Sequence, residues 1–189
     1  MAKKILIAKR IANDEIGVIP TDTIYGVVAS ALSKKAVEKA YRIMKRNPKK
    51  PFIIMISSIK DLPKFGIKID NHTLKILEKL WPGKVSVILP CASSKFRYLH
   101  RGTKTLAFRL PKKPSLIRLL KKTGPLVSSS ANPEGRKPAE TIRETKAYFN
   151  GNIDFFVSGG KIKSLSSTLI EIKRGKIRIL RKGADSTVI

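Results

Sequence analysis

"GPLVSSSANPEGR" (Gly124–Arg136) begins as a buried strand and ends as a polar loop. Leu126 and Val127 suit a sheet interior, whereas Asn132, Pro133 and Gly135 are turn formers. Serine is a poor strand former and a poor core filler, so three in a row at a strand end need a polar neighbour. Side chains alternate along a strand, which puts Ser128 and Ser130 on one face and Ser129 on the other. The same plan, a short apolar run followed by hydroxyls or cations, recurs along the chain. "GVIP" leads into "TDTIYG", "FIIMI" follows "KRNPKKP", and "KVSVILP", "TLAFRLP", "DFFV", "STLIEI" and "IRILR" read as further strands, the last two joined by "KRGK".

Helical pieces separate these strands. Ile5, Ala8, Ile11 and Ala12 mark one face of an opening helix, with Gly17 after its end. Ser33 caps a second helix with inner face Val37, Ala40, Tyr41 and Met44. Asp70 precedes a third carrying Leu74, Leu77 and Trp81, "SLIRLL" gives a fourth, and Thr141 with Glu144 forms a capping box for a fifth. This alternation predicts an α/β (α+β) fold. It consists of a mixed, twisted sheet of about seven strands flanked by helices, in one domain over residues 1–189. The polar turns beyond the strands are where such a sheet holds a ligand.

Charge points the same way. Forty Lys and Arg against thirteen Asp and Glu leave a formal +27, which favours polyanions such as RNA or nucleotides, although solubilising charge alone is the plainer alternative. No apolar run is long enough to cross a bilayer, and "MAKKILIAKR" lacks a small-residue cleavage site. A single cysteine, Cys91, suits a reducing compartment, so a cytoplasmic protein without membrane partners is expected.

Several chemistries are absent. The chain has neither the phosphate-binding G-x-x-x-x-G-K-[ST] loop nor G-x-G-x-x-G. His72 and His100 are isolated and read as surface or loop residues, and Cys91 as a small core filler. What remains is a series of polar strand ends: "PTDT", the cationic "KRNPKK", Thr105 and Arg109 on one strand face, "SSSAN", "SST" and Arg181. Singly, "PTDT" reads equally as a turn and "SSSAN" as a cap or Asx turn. Together they offer hydroxyls, amides and cations with scarcely a carboxylate, which suits an anionic ligand.

These segments, "IPTDTIYGV", "KRNPKKPFIIMI", "LWPGKVSVILP", "TLAFRLPKKP", "GPLVSSSANPEG" and "SSTLIEI…ILRKG", resemble in order and spacing the YrdC-like family of threonylcarbamoyl-adenylate synthases. The likeness runs from about Ile16 to Gly183 and fits the family's short, single-domain form. It implies a sheet with a positively charged concave face. It also implies a nucleotidyltransferase reaction that joins L-threonine, bicarbonate or CO2, and ATP into threonylcarbamoyl-AMP and pyrophosphate. Magnesium would be held mainly by the phosphates. Partner enzymes would carry the group to adenosine 37 of ANN-decoding tRNAs. By the same resemblance Thr21, Arg109, Ser128 and Ser167 match threonine-contacting positions. Thr105, Ser130, Asn132 and Arg181 match ATP-contacting ones, and Arg46 matches the arginine of the family's cationic loop. Met44 stands where that loop has a lysine, which leaves Lys45 or Lys50 to supply it; Met55 and Lys113 replace histidines on the amino-acid side. A diverged, catalytically silent RNA-binding protein on the same fold, with tRNA or double-stranded RNA as its partner, is the competing expectation.

Overall fold

The computed structural model describes residues 2–173 and 175–185. β1 (Gly17–Pro20) and β2 (Tyr25–Ser30) form an antiparallel hairpin, and β2 pairs antiparallel with β6 (Leu126–Ser130). β6 in turn lies antiparallel to β3 (Ile53–Met55), which runs parallel to β5 (Thr105–Arg109). β4 (Val85–Pro90), β8 (Thr168–Lys173) and β9 (Lys176–Arg181) extend the sheet on that side, and β7 (Phe155–Phe156) adds to β1 on the other. The order is β7-β1-β2-β6-β3-β5-β4-β8-β9. The mixed α/β class is as expected, but among the described residues the sheet has nine strands where about seven were expected. The main omission was β2: "YGVVAS" follows the "TDTI" loop so closely that hairpin and loop read as one polar strand end. The "KRGK" turn includes Arg174, which lies outside the described residues.

Among the described residues six helices flank the sheet: α1 (Ala2–Ala12), α2 (Lys34–Ile43), α3 (Asn71–Leu80), α4 (Arg97–His100), α5 (Pro114–Thr123) and α6 (Ile142–Phe149), with 3-10 turns at Ile59–Phe65 and Ser94–Phe96. Ser33 accepts from the Ala36 amide as the α2 cap, and Ala36, Val37, Ala40 and Tyr41 are buried beneath it, followed by Met44 at the helix end. The inward face of α1 is shifted from the one expected: Ile11 is buried and Ala8 half-buried as foreseen, but Ile7 joins them in place of Ala12. Ala12 is exposed, while the side chain of Ile5 lies outside the described residues. His100, expected at the surface, is buried in α4. Cys91 is a core residue, its Sγ 3.5 Å from the Phe65 carbonyl, and burial raises the thiol pKa.

Strand alternation divides the core in two. Val27, Val127, Ile54, Phe108 and Val87 point to the face covered by α2, α4 and the 3-10 turns. Val28, Leu126 and Met55 point to the other, where α1 and α5 pack Ile7, Ile11, Leu116, Leu119 and Leu120 against them. The ends of β6, β3 and β5 on that second face continue beyond this apolar cover, and the cavity described next opens there. Among the described residues no helix is long and apolar enough to cross a membrane.

Candidate active site

The cavity, of about 180 Å³, has strand residues for its floor and loops for its rim. Register sets Gly26 opposite Ser130, Ser128 opposite Ile53, and Met55 opposite Arg109, so all six face the same way. The open floor depends on Gly26. A Cβ there would stand 2.9 Å from the Ser128 hydroxyl and 3.1 Å from the Thr21 methyl.

The "TDTI" loop forms one wall. The Thr21 hydroxyl donates to the Ile24 carbonyl at 2.6 Å and accepts the amides of Thr23 and Ile24 at 3.1 and 3.2 Å. It is therefore the pin of a hydroxyl-closed turn. Lys113 donates from Nζ to the carbonyls of Pro20 and Thr21 at 3.2 and 3.0 Å, holding the same loop from outside.

Arg109, 5 % exposed, ends β5 inside this wall. Its Nη2 donates to Asp22 Oδ1 at 2.5 Å and its Nη1 to Thr23 Oγ1 at 3.2 Å, while its buried Nε has no partner among the described residues. The Lys112 amide fixes the other Asp22 oxygen at 3.1 Å. Burial depresses the Arg109 pKa, Asp22 opposes that shift, and the charge of Arg181 adds to it.

Two further guanidinium groups reach the cavity from its rim. Arg46 donates to the Lys50 and Pro51 carbonyls at 2.9 and 3.1 Å and to the Ser129 hydroxyl at 3.2 Å, with its head group 5.0 Å over the Phe52 ring. Burial lowers its pKa, and Tyr41 and Glu134 act the other way. Arg181 donates to the Ser167 carbonyl at 2.9 Å, and loss of solvent followed by the charge of Arg46 depresses its pKa. The Ser167 hydroxyl shares a 2.8 Å hydrogen bond with Ser86. Gly183 lets the chain after β9 lie against this segment, since a Cβ there would sit 2.2 Å from the Ser166 carbonyl oxygen.

Seven of the residues singled out in the sequence thus line one cavity: Thr21, Arg46, Arg109, Ser128, Ser130, Ser167 and Arg181. Four do not. Thr105 lies at the far end of β5, bonded to Thr103, and Lys45 is exposed beside Pro133 and Tyr148. The Lys50 ammonium pairs with Glu134, whose other carboxylate oxygen accepts the Asn47 amide at 3.0 Å. Asn132 donates to the carbonyls of Pro133 and Arg136, closing its own loop, and its buried Oδ1 has no partner among the described residues. Met44 is a core residue. Thr23, Ser129 and Ser166, which the sequence marks only as parts of the polar segments "PTDT", "SSSAN" and "SST", also line the cavity, as does Ile24. The second threonine of "PTDT" was a signal for Thr23. Ser129 was hidden by alternation: it faces away from the floor, but β3 stops at Ile53 and Arg46 fills the space beside it.

Among the described residues three cations and seven hydroxyl side chains line this cavity and no carboxylate does. Such a surface binds an anion through charge-assisted hydrogen bonds and repels a bare metal ion. No group of three or more His, Cys, Asp or Glu among the described residues is placed to hold a metal.

Comparison with known proteins gives this arrangement its relatives. A Methanocaldococcus jannaschii protein is 33 % identical over 96 % of this chain and 86 % of its own length. Threonylcarbamoyl-AMP synthases of Pyrococcus abyssi and Bacillus subtilis are 28 % and 31 % identical over 87 % and 81 % of this chain. The chain spans only about half of those two proteins, 49 % and 45 %. The crystal structure of P. abyssi Sua5 complexed with L-threonine superposes with a TM-score of 0.88 at 27 % identity, covering 96 % of this chain and 54 % of that one. Escherichia coli YciO, at 23 % identity and a TM-score of 0.84, shares the fold over 96 % of this chain and 90 % of its own. The model of the Sua5/YciO/YrdC family, described as "Telomere recombination", matches residues 9–183. With the motifs, the sheet and the relatives in agreement over nearly the whole length, the chain belongs to the Sua5/YciO/YrdC family.

Proposed function

We propose that this protein is a threonylcarbamoyl-AMP synthase, acting as one domain in the cytoplasm and supplying threonylcarbamoyl-AMP to the enzymes that modify adenosine 37 of tRNA. The observation that carries the proposal is the cavity wall, which holds three guanidinium groups and a row of hydroxyls with no carboxylate. Its supports are the relatives that bear this name and the threonine complex of the P. abyssi protein.

In this reading the threonine carboxylate binds at the Arg109 end, beside Ser128 and Ser167, with Asp22 and Thr23 holding the guanidinium in one orientation. ATP enters at the Ser130, Arg46 and Arg181 end. Threonine as the free amine, its ammonium proton released to solvent, takes up CO2 with loss of a second proton, or bicarbonate with loss of water, to give a carbamate. A carbamate oxygen attacks the α-phosphorus, the bond to the β-phosphate oxygen breaks, and pyrophosphate leaves. The carbamate is already nucleophilic, so its attack on phosphorus needs no base from the protein. It aligns the two anions and offsets the charge that builds on the phosphate, which Arg46 and Arg181 do from fixed positions. Magnesium would arrive on the triphosphate as part of the substrate, since the cavity wall offers it no carboxylate. Calorimetric titration tests the site. Threonine and ATP should bind the same protein molecule together, and Arg109→Ala should remove threonine binding while ATP still binds. Threonine binding unchanged in that variant would refute the assignment.

A further inference from the structure

A stack of four side chains runs from the end of α4 to the rim of the cavity. Arg101, the residue after α4, lays its guanidinium 4.0 Å over the ring of Tyr41 in α2. Tyr41 packs on Phe52 with ring centres 4.4 Å apart, and Phe52 in turn lies 5.0 Å beneath the Arg46 head group. The Tyr41 hydroxyl donates to the Lys50 carbonyl at 3.2 Å, and Arg46 Nε donates to the same oxygen at 2.9 Å. Burial raises the Tyr41 pKa against the opposing pull of Arg101 and Arg46, so the hydroxyl stays protonated and donating.

The far end of this stack is held at a cost. Arg101 has a left-handed backbone, φ 51°, which is uncommon outside glycine. Its Nε is buried with no partner among the described residues, while its other two nitrogens bond the oxygens of Glu38 at 3.0 and 3.1 Å. Stability alone does not call for such a pair, since apolar side chains of similar volume often do as well. What the paired guanidinium does supply is a flat, fixed backing for the Tyr41 ring. Arg46 is the cavity cation that gains from it. Arg109 is aimed by the charge of Asp22, whereas Arg46 bonds three neutral acceptors, the Lys50 and Pro51 carbonyls and the Ser129 hydroxyl. Neutral partners leave its charge for an anionic ligand, but its direction then depends on where the Lys50 carbonyl is held.

We propose that Tyr41, backed by Arg101, is a positioning residue for Arg46 and thereby sets the affinity of the nucleotide end of the cavity without touching the ligand. The positioning stands on these contacts, and its effect on ATP rests on the synthase reading.

Two readouts keep those apart. Modification of arginine by phenylglyoxal, followed at Arg46 by mass spectrometry, needs no ligand. Tyr41→Phe keeps the ring and removes the hydroxyl, so Arg46 should react at least about threefold faster than in the wild type, with Arg109 unchanged. By calorimetry the same variant should bind ATP roughly three- to tenfold more weakly, the effect of one lost hydrogen bond, with threonine affinity unchanged. Tyr98→Phe is the control. Its hydroxyl also donates to a backbone carbonyl, that of Ala31 at 2.9 Å, so a similar loss of stability is expected while neither readout moves. Should Tyr41→Phe misfold, Arg101→Lys, which keeps the charge and loses the flat stack, should shift both readouts in the same direction. A wild type that binds no ATP would refute the synthase reading, and faster reaction of Arg46 in Tyr41→Phe would still uphold the positioning role. Unchanged Arg46 reactivity in Tyr41→Phe, an equal increase in Tyr98→Phe, or unchanged ATP affinity in a protein that binds ATP would overturn the proposal.

Discussion

Arg109 is the residue on which most of the site depends. It is a buried cation whose charge is compensated on one side by Asp22, with Nε left without a partner among the described residues. Lysine at this position would keep the charge and lose the planar fork. Arg109→Lys should therefore raise the KM for threonine at least tenfold, about 1.4 kcal/mol, with ATP affinity nearly unchanged. Asp22→Ala removes the compensating charge from a pair whose side chains are both 6 % exposed, and should cost about 3–5 kcal/mol of stability in a denaturant titration. Serine by serine, the strand makes a second test. Ser130→Leu fills the cavity opposite Gly26 and should abolish ATP binding. Ser129→Ala would be silent if alternation alone decided its role, but its hydroxyl accepts from Arg46, so a several-fold loss of ATP affinity is expected. Calorimetry on the two variants distinguishes these outcomes, and a harmless Ser130→Leu would show that the floor has been assigned to the wrong face.

Among the elements, the short helix after β3 links distant sequence to the site. Asp61, 7 % exposed, accepts from the Ser57 amide and hydroxyl at 2.9 Å each and from the Ser58 amide at 3.2 Å, and pairs with Lys64 at 2.7 Å. This cap fixes the chain just beyond Met55, which stands in register with Arg109. Burial pushes the Asp61 pKa up, but the bonds from Lys64 and Ser57 outweigh it and hold the carboxyl below its ordinary value of 3.8. A depressed folded-state pKa means stability that is present above the unfolded pKa and is lost as pH falls through the folded one. Asp61→Ala should thus lower stability by roughly 2–3 kcal/mol at neutral pH, with the gap to the wild type closing in strong acid; thermal melts across pH check it. Glu134 is a second link, joining the "SSSAN" and "KRNPKK" loops through Lys50 and Asn47. The sequence carried the caps, the helix spacing and most strands, because each is a local signal. It did not carry β2, nor the full inward face of α1, nor the pairing of Lys50 with Glu134. Those depend on which segments meet across 84 residues or on where a neighbouring strand stops. Likewise, the turn role of the Thr21 hydroxyl was one of two readings that only the folded loop separates.

For the molecule as a whole, the +27 charge is spread widely, and part of it gathers on two separate surfaces. One is the cavity, where three arginines face one another with a single internal carboxylate, Asp22, beside them. The other is a groove between α2 and the Ser94–Arg101 segment, where Lys34, Lys49, Lys95 and Arg97 have no ion-pair partner among the described residues. Anion binding in the cavity relieves the mutual repulsion of Arg46, Arg109 and Arg181, so ATP should raise the melting temperature more at low salt than at high salt. The central claim is chemical, however, and is best tested by following label from γ-³²P-ATP in the presence of threonine and bicarbonate, with each omitted in turn. Labelled pyrophosphate is expected when all three substrates are present, and almost none when threonine or bicarbonate is missing. Labelled orthophosphate with ADP, or pyrophosphate released without regard to threonine, would contradict it.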